Sequence, residues 1–109
     1  MVLKKNVADH VGFRQDKFFK STLFQADTLL LGLNCLAPGQ EQPAHDHAHQ
    51  DKFYYVIAGS GRFLLGEERV AAGEGEVVWA PKGVVHGVEN DGEETLTLLV
   101  GIAPAPAPK

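Results

Sequence analysis

Four of the five histidines in this chain lie in two short segments, and their spacing suits the binding of a metal ion. His45 and His47 lie in the segment 39–52, and His86 lies in the segment 75–90. A neutral imidazole is a good ligand for a divalent transition metal at neutral pH. Two residues spaced i and i+2 on an extended chain point to the same face of a sheet. With a histidine from a distant strand completing the site, the sequence predicts a metal held inside a small barrel.

Length and composition limit the remaining possibilities. With 109 residues, of which 44% are apolar and 22% charged, the chain has the size and composition of one soluble globular domain. The formal net charge is −4 with mixed signs, so we expect neither nucleic acid nor an anionic membrane as a partner. No apolar run reaches the roughly 18 residues of a membrane span, and the N-terminus lacks the apolar core of a secretory signal. The single cysteine, Cys35, cannot form an internal disulfide, which suits a cytoplasmic location.

Helical periodicity is nearly absent, whereas short β-prone runs recur between turn signals. The 12 glycines and 6 prolines divide the chain into short segments. Regularly spaced short strands of this kind indicate an all-β sandwich or barrel. Alternation along one run puts Lys52, Tyr54 and Val56 on the same face. The predicted strands are 17–24, 28–36, 52–57, 62–65, 69–71, 77–79, 84–89 and 95–102.

The two ends of the chain differ from its middle. Residues 1–14 form an N-terminal arm, which is either a strand-like arm on a neighbouring subunit or a loose end. Residues 15–102 contain the predicted barrel. In residues 103–109, prolines alternate with alanines and deny the backbone its ladder hydrogen bonds, so we expect a disordered, extended tail.

A specific five-residue pattern lies in the second histidine segment: Gly75, Pro81, Gly83, His86 and Asn90, spaced Gly-x5-Pro-x-Gly-x2-His-x3-Asn. This pattern resembles the second motif of the cupin superfamily, whose members are small jelly-roll β-barrels, also called double-stranded β-helices. The resemblance covers roughly residues 30 to 100. It implies an all-β, single-domain cupin of the small "cupin 2" type.

The first histidine segment matches the other cupin motif, Gly-x5-His-x-His-x3–4-Glu-x6-Gly, except at one position. Gly39, His45, His47 and Gly59 fit it, but Lys52 stands where the family usually places a ligating glutamate. The resemblance implies that the three histidines named above bind a divalent transition metal. Iron is our first expectation, with manganese, nickel, copper or zinc as alternatives.

The sequence does not decide which group occupies the fourth ligand position. Our first expectation is three histidines and water, without a fourth protein ligand. Gln50 comes next because it shares the parity of Lys52, followed by His49 or Asp51. An ammonium at Lys52 would repel a divalent cation, so this residue could instead replace the metal in the barrel, or donate a proton to a substrate.

Two function classes follow from the resemblance. The first is a metal-dependent enzyme, with dioxygenase-like oxidoreductase chemistry on a small organic substrate preferred and isomerisation as another option. The second is a non-catalytic cupin that binds a small molecule or a structural metal, with Lys52 replacing the usual glutamate. Tyr54, Phe63 and Trp79 are expected to line the barrel or its core, and Cys35 to be a small buried hydrophobe.

We also expect a homodimer. The resemblance implies it, because small single-barrel cupins commonly pair. Independently, an open jelly roll exposes strand edges that a second copy can cover, and the N-terminal arm is the candidate strand.

Overall fold

The computed structural model describes residues 1–46 and 48–106, and it is built almost entirely from β-strands. A short 3-10 helix at Val7–Asp9 precedes the strands. No helix within the described residues is long and apolar enough to cross a membrane. The strands are β1 (Phe19–Gln25), β2 (Leu30–Leu36), β3 (Glu41–His45), β4 (Asp51–Ala58), β5 (Ser60–Leu65), β6 (Glu68–Gly73), β7 (Val77–Ala80), β8 (His86–Glu89) and β9 (Leu96–Ala103).

The strands form two antiparallel sheets that face each other. The first has five strands in the order β1-β2-β9-β4-β7, and the second has four in the order β3-β8-β5-β6. Strands distant in sequence become neighbours, as in the pairing of β2 with β9 from Leu30↔Ile102 to Leu36↔Leu96. This arrangement confirms the all-β jelly-roll barrel predicted from the sequence.

The hydrophobic core lies between the inner faces of the two sheets. Tyr54 of β4 and Phe63 of β5 are fully buried at its centre, with ring centroids 5.3 Å apart. Both residues therefore take the positions expected for them, and Cys35 is buried as well. The core members are Leu36, Tyr54, Val56, Phe63, Ala72, Val78, Val88, Leu96, Leu98 and Val100.

The expectation for Trp79 is wrong. Its side chain is 55% exposed on the outer face of the five-stranded sheet. Alternation along β7 turns Val78 and Ala80 inward, and the tryptophan between them points away from the core.

Strand β3 is absent from the strands that the sequence predicts. It pairs with β8 through Glu41↔Glu89, Gln42↔Val88 and His45↔His86, with an irregularity between Gln42 and His45. Pro43 weakens the strand signal in the sequence because it has no N–H to donate. The fold accommodates this proline because β3 is the edge strand of its sheet.

The residues of the second motif have clear structural roles. Gly75 and Gly83 adopt φ angles of +86° and +80°, a region that glycine occupies without strain. Asn90 is 2% exposed and donates to the carbonyl oxygens of Leu36 (2.8 Å) and Glu94 (2.7 Å). Its own Oδ1 accepts from the backbone N–H of Gly92 (3.0 Å), so this one amide joins the β8–β9 loop to β2.

Both ends of the described chain contact the barrel. In the N-terminal arm, Lys5 Nζ donates to the carbonyl of Leu23 (2.6 Å), and the His10 carbonyl accepts from Ser21 Oγ (3.0 Å). The arm therefore lies against β1 of its own chain. Beyond β9, the Ala105 N–H donates to the carbonyl of Asp27 (3.2 Å). Residues 107–109 of the predicted tail lie outside the described residues, and the division into arm, barrel and tail stays a prediction.

Candidate functional site

Two of the three predicted ligands, His45 and His86, lie side by side in the barrel. His45 ends β3, His86 begins β8, and the two residues are partners in the β3–β8 ladder. Their ring centroids are 4.3 Å apart, with an interplanar angle of 59°. His86 is 1% exposed, and its ring is 6.2 Å from the ring of the core residue Tyr54. Two histidines from segments far apart in sequence are therefore in contact.

A close backbone approach permits this pairing. A Cβ on Gly87 would lie 2.9 Å from the carbonyl oxygen of Gln42 and 3.1 Å from the backbone of Ala44. Only a residue without a side chain fits there unless the strands move apart. Gly87 thus lets the irregular end of β3 pack tightly on β8 and bring His45 against His86.

Backbone carbonyls determine the tautomer of both rings. His45 Nδ1 lies 2.8 Å from the carbonyl oxygen of Pro43, and His86 Nδ1 lies 3.0 Å from that of Val84. A carbonyl oxygen only accepts, so each Nδ1 must carry its proton. In the neutral rings, Nε2 is then the basic nitrogen. Metal-binding histidines commonly have this arrangement, with the second nitrogen donating to a carbonyl or carboxylate.

The third predicted ligand, His47, lies outside the described residues. Residues 1–46 and 48–106 contain no cluster of three or more histidine, cysteine, aspartate or glutamate side chains placed to hold a metal. The donor chemistry of His45 and His86 nevertheless fits a divalent transition metal, because both rings present the same nitrogen and are in contact. The complete three-histidine site stays a prediction.

The three alternatives for a fourth ligand have other positions or contacts. Gln50 donates from Nε2 to the carbonyl of Pro104 (3.0 Å), which ties it to the chain beyond β9. Asp51 Oδ1 accepts from the backbone N–H of Lys82 (3.0 Å). His49 lies in an exposed turn.

Lys52 points into the barrel, as strand alternation predicts when the register follows the cupin motif. It is 3% exposed, and Tyr54 and Val56 on the same face of β4 are fully buried. Its Nζ lies 4.7 Å from the centroid of the Tyr54 ring, a cation–π distance. A basic side chain therefore occupies the barrel interior where the cupin pattern has an acidic one.

Burial changes the proton affinity of both side chains. Desolvation lowers the pKa of Lys52 from 10.5 to about 8, and the positive charge of Lys20 contributes in the same direction. Desolvation also raises the pKa of the Tyr54 phenol well above its usual value. That phenol donates to Gln42 Oε1 (2.6 Å), which links β4 to β3 next to the histidines.

A cavity of about 270 Å³ lies beside Lys52. Polar groups from four strands line it, and the apolar part of its wall comes mainly from β9. The lining includes Lys20, Asn34, Gln42, Lys52, Val100 and Ile102.

The sequence does not predict that Lys20, Asn34 and Gln42 lie near Lys52. Asn34 and Lys20 are cross-strand partners in the β1–β2 ladder, and Gln42 lies on the unpredicted strand β3. Parity offered one signal, because Asn34 is a polar residue between the apolar Leu30 and Leu36 on one face of β2. No comparable signal marks Lys20 or Gln42, whose proximity to Lys52 depends on how the sheets close.

Comparison with known proteins agrees with this architecture. A family model described as a cupin domain matches residues 32–102. The chain therefore belongs to the cupin family.

Three similar proteins illustrate the range of its relatives. The tetracenomycin polyketide synthase protein TcmJ of Streptomyces glaucescens is 33% identical over 75 residues, which is 68% of this chain and 50% of that protein. An oxalate-binding protein of Thermotoga maritima is 31% identical over 67 residues, which is 62% of this chain and 55% of that protein. The chain thus spans about half the length of these two relatives. The crystal structure of TT1209 from Thermus thermophilus superposes with a TM-score of 0.91 at 35% identity, covering 94% of this chain and 98% of that one.

Proposed function

We propose that this cupin binds a divalent transition metal through His45, His47 and His86 and acts on a small organic molecule inside the barrel. The contact between His45 and His86, with both Nδ1 protons donated to backbone carbonyls, carries the proposal. Iron is the preferred metal, with manganese, nickel, copper or zinc as alternatives.

The proposed reaction class is oxidative and dioxygenase-like. When bound, a redox-active metal would supply one-electron chemistry with dioxygen, or Lewis acidity if the reaction were an isomerisation. The residues of the chain prepare the site. Carbonyl oxygens orient the imidazoles, and the Tyr54–Gln42 hydrogen bond holds the phenol beside them. The buried core around Tyr54 and Phe63 limits the access of water to the histidines from the barrel interior.

One observation favours a second candidate, a non-catalytic small-molecule-binding cupin. Lys52 brings a basic group into the barrel interior in place of a carboxylate ligand, and its positive charge opposes a cation. The oxalate-binding relative carries a ligand-binding rather than a catalytic name, which supports the same candidate.

Metal content tests the first proposal directly. Freshly purified protein and a His45→Ala/His86→Ala variant are compared by elemental analysis, with His10→Ala as the control histidine outside the two segments. We expect near-stoichiometric metal in the wild type and the control, and its loss in the double variant. Metal retained by the double variant would contradict the assignment of these ligands. Oxygen uptake with small organic acids and phenols then separates the candidates, since metal without turnover favours the binding module.

A further inference from the structure

The ammonium of Lys52 is buried, and no residue in the described part of the chain supplies a compensating anion. Its residue is 3% exposed, yet across residues 1–46 and 48–106 the side chain forms no ion pair and no hydrogen bond. Its close contact is with the face of the Tyr54 ring. Charged groups removed from water are ordinarily paired, because an unpaired one is costly to bury. Within the described residues no group supplies a negative charge to Lys52, so the position suits an anionic ligand.

The cavity beside Lys52 has the charge of an anion site. Lys20 contributes a second cation from β1, and no aspartate or glutamate is among the residues that line the cavity in the described chain. Asn34 and Gln42 add amide groups, of which an N–H can donate to an anion. Since like charges repel, the proximity of the two lysines is unfavourable until an anion lies between them.

The volume of the cavity and the chemistry of its wall limit the size and type of ligand that it can bind. At about 270 Å³, the cavity lies just below the roughly 300–1,000 Å³ range of pockets for drug-sized molecules. A compact metabolite is the better match. Val100 and Ile102 lie on β9, between β2 and β4, and Ile102 is the cross-strand partner of Lys52. They place an apolar surface next to the polar groups, which suits a molecule with a short carbon skeleton as well as a charge.

We propose that this Lys52 cavity binds a small organic acid, with a carboxylate held by Lys52 and Lys20 and a short carbon chain against Val100 and Ile102. This proposal names the class of ligand for the proposed function. It rests on that function in one respect, namely that the bound acid would be the molecule on which the histidine site acts. A carboxylate there would neutralise the charge that otherwise opposes a nearby cation.

The test measures binding of the dicarboxylates oxalate, malonate and succinate by calorimetry at pH 7, with uncharged malonamide as the matched negative ligand. Protein is used as purified and again after dialysis against a chelator. We expect saturable binding of at least one dicarboxylate to both preparations and none of malonamide. A charge-assisted contact is worth about 1.5–3 kcal/mol, so Lys52→Met should weaken binding about 10- to 150-fold.

Two further variants keep the result interpretable. Lys20→Met changes an exposed position that does not endanger folding, and it should weaken binding by several-fold. Lys4→Met, at an exposed position that does not line the cavity, should leave binding unchanged. Equal affinity in wild type and Lys52→Met, or no saturable binding of any dicarboxylate, would overturn the proposal.

The outcome is separable from that of the metal site. If His86→Ala loses metal but the chelator-treated protein still binds the dicarboxylate, both proposals hold. If the dicarboxylate binds only to metal-loaded protein and binds Lys52→Met as tightly as wild type, the cavity proposal fails and the metal proposal survives. If no metal is found but Lys52-dependent binding persists, the metal proposal fails and the organic-acid site stands alone.

Discussion

Lys52 Nζ and the Tyr54 ring lie 4.7 Å apart in the barrel interior, on side chains that point to the same face of β4. The ring offers the ammonium a partial replacement for water through its negative face. A cation–π contact of this kind is worth about 2 kcal/mol when desolvated, which is less than the several kcal/mol lost when an ion leaves water. Burial of the Lys52 ammonium therefore has a net cost in folding free energy that the Tyr54 ring only partly offsets.

Replacement of Lys52 by methionine should stabilise the protein at neutral pH. Folding must carry the ammonium into the barrel whenever the pH is below about 8, its folded-state pKa. The lowering from 10.5 to about 8 corresponds to roughly 3 kcal/mol at about 1.4 kcal/mol per unit. Urea denaturation at pH 7 should thus show Lys52→Met more stable than wild type by up to about 3 kcal/mol.

The same comparison has a defined pH dependence. A lysine with a lowered folded-state pKa destabilises the fold below that pKa, and the penalty disappears as the pH rises from about 8 towards 10.5. The charged group facing Lys52 across the cavity is Lys20, and Tyr54 stays protonated because burial raises its pKa. The advantage of Lys52→Met should shrink across this range, while Lys4→Met follows wild type. A constant difference would mean that Lys52 is paired in solution.

Removal of the Tyr54 hydroxyl should cost a modest amount of stability. Its hydrogen bond to Gln42 Oε1 is 2.6 Å long and joins β4 to β3. The loss of such a bond typically costs about 1 kcal/mol. We expect Tyr54→Phe to lower the free energy of unfolding by about that amount. Tyr55→Phe, on the exposed face of the same strand, should have no effect. Equal effects of the two variants would show that the phenol bond contributes nothing.

The sequence was sufficient for the fold because its turn signals and strand alternation are local. Gly75 and Gly83 mark turns in which the structure has positive φ angles. Strand parity together with the register of the cupin motif predicted Lys52 inside the barrel, where it lies. Strand β3 could not be predicted, because its pairing with β8 depends on Gly87, which is far from it in sequence, and on a register irregularity between Gln42 and His45.

The surroundings of the site were less predictable than its ligands. His45 and His86 carry a spacing signal, whereas Lys20 lines the cavity with Lys52 only because β1 and β4 join the same five-stranded sheet through β2 and β9. Trp79 shows the opposite error. A large aromatic residue suggests a core position by composition, but a one-residue difference in parity from Val78 turns it outward.

Asn90 should matter for stability more than its position outside the candidate site suggests. Its amide makes three hydrogen bonds to backbone groups, and Asn90→Ala would leave those partly or fully buried groups without their hydrogen-bond partner. At about 1 kcal/mol or more for each bond, the free energy of unfolding should fall by about 2–4 kcal/mol. Asn6→Ala removes a single exposed cap bond and should cost about 1 kcal/mol or less. Thermal denaturation followed by circular dichroism makes the comparison, and similar losses would refute it.

Trp79 also offers a test of the proposed homodimer. With Tyr55 and Val77 it forms an exposed apolar patch on paired strands β4 and β7, at one edge of the five-stranded sheet. A sheet five strands wide, roughly 24 Å across at about 4.8 Å per strand, can supply the about 800 Å² per partner of a standard interface. A second copy presents the same patch, so a two-fold axis would bring apolar surface against apolar surface.

We therefore expect Trp79→Asp to convert a dimer to a monomer in sedimentation equilibrium, because a charge would be buried at the interface. Val70→Asp, at an exposed site on the other sheet, should leave the dimer intact. The protein has one tryptophan, so its emission should shift to longer wavelength on dilution as the interface opens.

Deletion of residues 1–12 tests the competing arrangement in which the N-terminal arm covers the partner. Since the arm contacts β1 of its own chain, we expect this deletion to weaken the dimer less than Trp79→Asp does. The reverse order would move the interface from the sheet face to the arm.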